Sequence, residues 1–318
     1  MYRALVALRS RSYRSGLRSQ YTPPVPVIVI GNITVGGTGK TPLVLWTLQW
    51  LQASGWRPGA ISRGYGAAVG AKPVAVNAES NPYEVGDEPV LLARRSGCPV
   101  VVCTKRAEAA RFIIDHDNCD IIVSDDGLQH LALGRSFEVV VIDGQRRFGN
   151  GFCIPAGPLR EPLARLQSVT LRVCNGTPDA GEVPMRLVPD TLLGVSSGEA
   201  CSENELFTLK AAHCEAVAGV GNPNAFFTSL RTLGITITEH VFADHHRYTS
   251  HDLERIGAGQ RPIIMTEKDA VKCRQFGYSD CWYLPVTAEP GPEYENALRC
   301  HPRLVEPLRP MPGPSATQ

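Results

Sequence analysis

Residues 26–42 read PVIVIGNITVGGTGKTP, and the fold is decided there. Val27 to Ile30 make an apolar strand. Gly36, Gly37 and Gly39 let the following backbone turn its N–H groups toward phosphate oxygens with no Cβ in the way. Thr34, Val35 and Thr38 complete the loop, Lys40 reaches for β- and γ-phosphates, and Thr41 offers a hydroxyl to Mg²⁺. A helix then begins: Pro42 is tolerated in its first turn, where a backbone N–H has no intrahelical partner, and Val44, Leu48 and Leu51 continue as an apolar stripe. A glycine turn without a ligand is the plain alternative. Strand, glycines, Gly-Lys-Thr and helix in that order favour a P-loop that grips a nucleotide triphosphate. Thr34 stands where the general motif has its first glycine.

Working outward, apolar runs alternate with helical segments. Ala60-Ile61, Pro99 to Cys103, Asp120 to Ser124 and Glu138 to Ile142 read as further strands, so an α/β fold with a P-loop NTPase-type parallel sheet is expected, with ligands at the carboxyl ends of its strands. Prolines, glycines and polar residues weaken the pattern over 177–210. A second alternating set follows: Ala216 to Val220, a helix from Asn224 to Leu233, Ile235 to Phe242, a helix near His251 to Ile256, Pro262 to Met265 and Trp282 to Val286. The expected organisation is an arm at 1–22, a P-loop kinase domain at 23–176, a connector at 177–210, a smaller C-terminal α/β domain at 211–308 and a disordered tail at 309–318.

The 318 residues are 43% hydrophobic and 20% charged, an ordinary globular composition with a substantial core. A net charge of +1 gives no reason to expect nucleic acid as a partner. The 10 cysteines contain no Cys-x-x-Cys pair, against a zinc ribbon and for reduced thiols. No window approaches the roughly 18–20 apolar residues that a membrane span needs. The first 21 residues carry Arg3, Arg9, Arg11, Arg14 and Arg18 among Leu5, Val6, Leu8, Tyr13 and Leu17, with no acid. Such an arm suits an anionic membrane surface; a solvated basic arm or a targeting peptide has the same composition.

Asp125 and Asp126 end the apolar run Ile121 to Ser124. Adjacent carboxylates repel unless a cation sits nearby, so both are candidate Mg²⁺ ligands, against a simple Asp-Gly turn. Polar clusters also follow other strands: Ser62-Arg63-Gly64-Tyr65-Gly66, Gly86-Asp87-Glu88-Pro89, Gly157 to Leu163 with Arg160 and Glu161, and Asp244-His245-His246-Arg247. Phosphorylation of a hydroxyl needs a proton acceptor, which Asp or His supplies, and cations over the moving charge, for which Arg160 and Arg247 are candidates. Thr266-Glu267-Lys268-Asp269 reads equally well as a helix start. Gly219-Val220-Gly221 lacks the third glycine of a dinucleotide fingerprint.

Taken together, VIVIGNITVGGTGKTP, SRGYG, GDEP, SDDGLQH, GPLREPL, FADHHRY and TEKDAVK, in this order across nearly the whole chain, resemble the tetraacyldisaccharide 4'-kinases of lipid A synthesis in Gram-negative bacteria. The resemblance implies transfer of the ATP γ-phosphate to the 4'-hydroxyl of a tetraacylated glucosamine disaccharide 1-phosphate at the cytoplasmic face of the inner membrane. It also allows Thr or Ser at position 34. Carried over, it makes Lys40 and Thr41 the phosphate and Mg²⁺ residues, gives Asp126 with Glu161 to the metal, and makes Asp87 the catalytic base, assisted by a histidine of the DHH segment, His245 being favoured over His246. Arg63 and Arg160 would contact phosphates. The partners implied are the lipid disaccharide and an anionic membrane surface; the sequence leaves the oligomeric state open, a monomer being the expectation. The N-terminus departs from the pattern, since family members usually carry a longer, more apolar first helix; either the native start lies upstream or this chain docks with less apolar surface. Two rivals remain: a P-loop ATPase switch of the partitioning or metal-insertion type, which usually has a lysine where Val35 stands, and a soluble small-metabolite kinase, which needs no basic arm.

Overall fold

The computed structural model of the chain describes residues 15–304 together with 6, 8, 9 and 11–13. Arg3, Leu5 and Arg14 of the expected arm, and the whole expected tail at 309–318, lie outside the described residues.

The larger sheet contains β1 (Val27–Gly31), β2 (Pro58–Ser62), β3 (Val74–Val76), β4 (Val100–Val102), β5 (Ile121–Asp125), β6 (Phe137–Asp143), β7 (Leu171–Asn175), β8 (Val183–Pro189) and β14 (Val286–Pro290), in the order β14-β8-β7-β6-β1-β5-β2-β4-β3. The pairs from β8 through β4 are parallel; only the edge strands β3 and β14 run against their neighbours. Helices α1 (Lys40–Ala53), α2 (Pro82–Val85), α3 (Asp87–Ser96) and α4 (Arg106–Asp117) belong to this half. β1 shows why its sequence is apolar throughout: Ile28 and Ile30 pack on one face with Leu43, Leu48 and Leu51 of α1, while Val27 and Val29 pack on the other with Ala109, Ala110 and Ile113 of α4. A parallel strand buried on both faces has no solvent side on which to place polar residues.

The smaller sheet has β9 (Leu193–Gly194), β10 (His213–Ala218), β11 (Thr236–Val241), β12 (Ile263–Thr266) and β13 (Cys281–Leu284), in the order β11-β10-β12-β13-β9. It carries α5 (Glu203–Ala211), α6 (Pro223–Thr232), α7 (Ser250–Ile256) and α8 (Glu267–Cys273). The expected α/β architecture, a large mostly parallel sheet with a smaller α/β unit, is the one the chain adopts.

Three boundaries differ from expectation. The span 177–210, read as a connector, supplies β8 to the larger sheet and β9 to the smaller one. Pro184 and Pro189 disguise β8, yet Val183 and Met185 point inward between exposed Pro184 and Arg186, the alternation of a half-buried strand. The run from Trp282 to Val286, read as one strand, is cut by Pro285 into β13 and β14, which lie in different sheets. Finally, β14 and α9 (Pro292–Arg299), placed by the sequence in the C-terminal domain, return to the larger sheet, where the Tyr294 hydroxyl meets Thr47 of α1 at 2.8 Å in a fully buried contact.

Candidate active site

The loop between β1 and α1 lies at the carboxyl end of the central strand, flanked by the ends of β5 and β6. Gly39 caps α1 with a left-handed backbone (φ 90°), a conformation that glycine adopts without strain. A Cβ there would also press on Asn175, Leu187 and Met185 at 3.2–3.3 Å. The buried Asn32 amide donates to the Gly36 carbonyl at 3.3 Å, fixing the start of the loop. Arg146, just after β6, donates to the Gly37 carbonyl and pairs with Asp143 at 2.7 Å. Sequence reading gave Arg146 no role; its place after a parallel strand was the available signal.

Lys40 Nζ lies 3.8 Å from Asp126 Oδ1, and Arg160 donates to Asp126 Oδ2 at 2.7 Å. Burial works to raise the Asp126 carboxyl, but the Lys40 and Arg160 charges outweigh it and hold it below the ordinary carboxylate range. Asp125 behaves oppositely. It is 1% exposed, both its carboxylate oxygens lack a hydrogen-bond partner, and burial, reinforced by Glu88 and Asp126, pushes it up to about 7. Unsatisfied buried carboxylate oxygens are costly, and a cation is the usual remedy. Thr41, Asp125 and Asp126 thus fit the Mg²⁺ expected of them, since this ion takes few protein oxygens and completes its shell with water and phosphate. Glu161 is buried but already engaged, by Gln129 Nε2 at 2.6 Å and Arg165 Nε at 3.4 Å. Gln129 also donates to the Asn32 carbonyl at 3.2 Å, so the SDDGLQH and GPLREPL segments are tied to the phosphate loop. Arg63 is exposed after β2, near enough to Arg106 and His130 to depress the pKa of both, though burial is the larger cause in each.

Asp87 opens α3. It is 5% exposed; its Oδ1 accepts the Glu88 backbone N–H at 2.8 Å, and its Oδ2 lies 3.1 Å from His245 Nδ1 and 3.6 Å from Lys272 Nζ. Burial alone would raise this carboxyl, but the His245 hydrogen bond and the charges of Lys268 and Lys272 bring it down to about 2. Reciprocally, the hydrogen bond to Asp87 lifts His245 above the ordinary imidazole value against the effect of burial. His245 has a left-handed backbone (φ 59°) and packs against the Tyr65 ring at 5.1 Å. His246 instead packs between Phe242 and the edge-on Tyr248 ring, with Asp252 at 3.5 Å, and Arg247 lies over the Tyr83 ring. Of the two histidines, His245 is the one paired with Asp87.

The smaller sheet closes the same cleft. Lys268 of α8 pairs with Glu88, whose Oε1 also comes within 3.5 Å of the Thr41 hydroxyl. A Cβ on Gly221, in the loop after β10, would lie 2.9 Å from the Gly37 nitrogen. In the Gly219-Val220-Gly221 turn, weak as a nucleotide motif, Gly221 is therefore small because it lies against the phosphate loop, while a Cβ on Gly219 would meet Tyr248 and Asp269. The sequence reads Thr266 to Asp269 equally as a helix start and gives neither Lys268 nor Lys272 a role of its own; Thr266 does cap α8. The signal for more was their i, i+4 spacing, which puts both ammoniums on one helix face.

Comparison with known proteins finds relatives over nearly the whole chain. The family model described as tetraacyldisaccharide-1-P 4'-kinase matches residues 1–301. A tetraacyldisaccharide 4'-kinase of Nitrosococcus oceani is 48% identical over 90% of this chain and 83% of its own length, and one of Aeromonas salmonicida is 47% identical over 96% and 92%. A solved structure described as the "apo" form of LpxK from Aquifex aeolicus in complex with ATP has a TM-score of 0.77 at 25% identity, covering 93% of this chain and 94% of that one. Matched from its first residues to 301, the chain belongs to the tetraacyldisaccharide-1-P 4'-kinase family.

Proposed function

We propose that this chain transfers the γ-phosphate of ATP to the 4'-hydroxyl of tetraacyldisaccharide 1-phosphate, with Asp87 as the base. The observation that carries the reading is Glu88: adjoining the Asp87–His245 pair, it also comes within 3.5 Å of Thr41, so the proton acceptor and the phosphate loop share one cleft. Lys40 exchanges Asp126 for phosphate oxygens when ATP enters. Thr41, Asp125 and Asp126 would hold Mg²⁺, which would supply positive charge against the phosphate oxygens. Glu161 keeps Gln129 and Arg165 in place, and Arg160, with Arg63 at the rim, supplies further positive charge. The sugar hydroxyl gives its proton to Asp87, helped by His245, as its oxygen bonds to the γ-phosphorus and the bond to the bridging oxygen of ADP breaks.

Among the described residues no helix is long and apolar enough to cross a membrane. The acceptor carries acyl chains, so the basic arm would hold the enzyme at the anionic cytoplasmic face of the inner membrane, each arginine contributing about 1 kcal/mol there. Supporting this, Leu8 and Leu17 are exposed. Labelled ATP incubated with the lipid disaccharide or with a soluble sugar panel tests the function: label must enter the lipid. Label in soluble sugars alone would make this a small-metabolite kinase, and phosphate release without an acceptor would make it a switch. Co-sedimentation with anionic vesicles tests the arm; it should fall with salt and with Arg9, Arg11 and Arg14 changed to Glu.

A further inference from the structure

Lys272 is an unusual lysine: 3% exposed, with its ammonium 2.9 Å from Asp269 Oδ1, 3.6 Å from Asp87 Oδ2 and 5.1 Å above the Tyr248 ring. A buried ammonium is tolerated only when its charge is matched. Asp269, itself 0% exposed, is fixed from its other oxygen by the Gly219 backbone N–H at 2.8 Å and the Thr266 hydroxyl at 2.6 Å. The lysine is thereby held on a rigid anchor in the smaller sheet and aimed at a carboxylate of the larger one.

We propose that Lys272 is a positioning residue for the phosphoryl transfer, clamping Asp87 in the rotamer that meets His245 and fixing the charge of that pair. The proposal rests on Asp87 being the base. Charge counting supports it. Asp87, Glu88 and Asp269 carry three negative charges in this cluster, and Lys268 and Lys272 carry two positive ones. The remaining charge falls to the His245 imidazolium, in keeping with the raised affinity of His245 for a proton. Asp244, 3.8 Å from His245 Nε2, is half exposed and adds to that pull, while Tyr248 and Cys273, facing Lys272 and Asp269, are neutral phenol and thiol held protonated chiefly by burial. With Lys272 gone, one ammonium would remain against the three carboxylates, and the pair would take up a proton at higher pH.

The test is Lys272→Met and Lys272→Arg in the full chain, reading kcat, the KM for ATP, and the His245 titration by NMR of labelled histidine, its resonance assigned by loss in His245→Gln. Lys272→Met should lower kcat at least ~10-fold at neutral pH with the ATP KM little changed, and should raise the His245 titration by about one pH unit. Lys272→Arg keeps the charge and should leave the titration in place. In an Asp87→Asn background, Lys272→Met should cost nothing more. An unmoved His245 titration in Lys272→Met, or an undiminished loss in the Asp87→Asn background, overturns the role of Lys272. If Lys272→Met does not fold, Lys272→Arg decides: a titration shifted by a unit or more overturns the proposal, and an unmoved one supports it. Asp87→Asn with normal kcat would instead overturn the reading of Asp87 as base.

Discussion

The phosphate loop is built from consecutive residues between β1 and α1, whereas Asp87 is surrounded by side chains that arrive from the other sheet: His245 from the loop after β11, Lys268 and Lys272 from α8. The two carboxylates of these regions shift in opposite directions. Asp125, beside the phosphate loop, is governed by burial and by neighbouring acids and rises to about 7; Asp87 is just as buried but ringed by positive groups and falls to about 2. Burial disfavours charge in both places, so the partners decide the outcome. Asp125 is left without a hydrogen-bond partner for either oxygen, while Asp87 already has its positive partners.

The comparison is broken most severely by removing a key group from either side. Lys40→Ala should lower kcat by ~10²-fold or more with little change in melting temperature, since the ion pair Lys40 makes among the described residues is the long 3.8 Å contact to Asp126. Steady-state kinetics beside a thermal melt check this; unchanged turnover would remove the phosphate loop from the reaction. Asp87→Asn should lower kcat by ~10²- to 10⁴-fold while the KM for ATP stays near the wild-type value. His245→Ala should reproduce much of that loss and His246→Ala much less. The reverse order would put the assisting histidine on the wrong ring.

Stability against pH sharpens the same contrast. Asp125 binds its proton up to about 7 when folded, against an ordinary 3.8. Between those values the folded chain holds a proton that the unfolded chain has lost, so the ATP-free protein should lose stability as pH rises toward 7, and the loss should be complete above it. Asp125→Asn should flatten that part of a melting-temperature profile. Asp87 works the other way: with a folded value of about 2 against 3.8, its contribution is fully present above 3.8 and is lost as pH falls toward 2. The smallest effect concerns how the chain returns to the larger sheet. Tyr294→Phe deletes the bond to Thr47, which keeps its own bond to the Leu43 carbonyl at 2.7 Å, and should cost about 1 kcal/mol by denaturant titration without altering kcat.

The loop Thr34 to Thr41, the strands on either side of it and the paired Asp125-Asp126 were legible because local rules write them: glycines where φ turns positive, apolar runs where a strand is covered on both faces, a carboxylate where such a strand ends. β8 was hidden by Pro184 and Pro189, and Pro285 gave no hint that the strands on its two sides part company. What makes β8 a strand is its pairing with β7 and β14, which no local window contains.

By itself, then, the sequence determined the P-loop fold, the order of the motifs and the chemical types gathered for phosphoryl transfer, since each is a short-range pattern of backbone freedom, polarity and spacing. Only the tertiary structure decided that His245 and not His246 meets Asp87, that Glu161 is already held by Gln129 and Arg165, and that Lys268 and Lys272 complete the cleft. The physical reason is distance along the chain. Asp87 and His245 are separated by 158 positions, and a charge's partner over such a span is set by how two sheets pack.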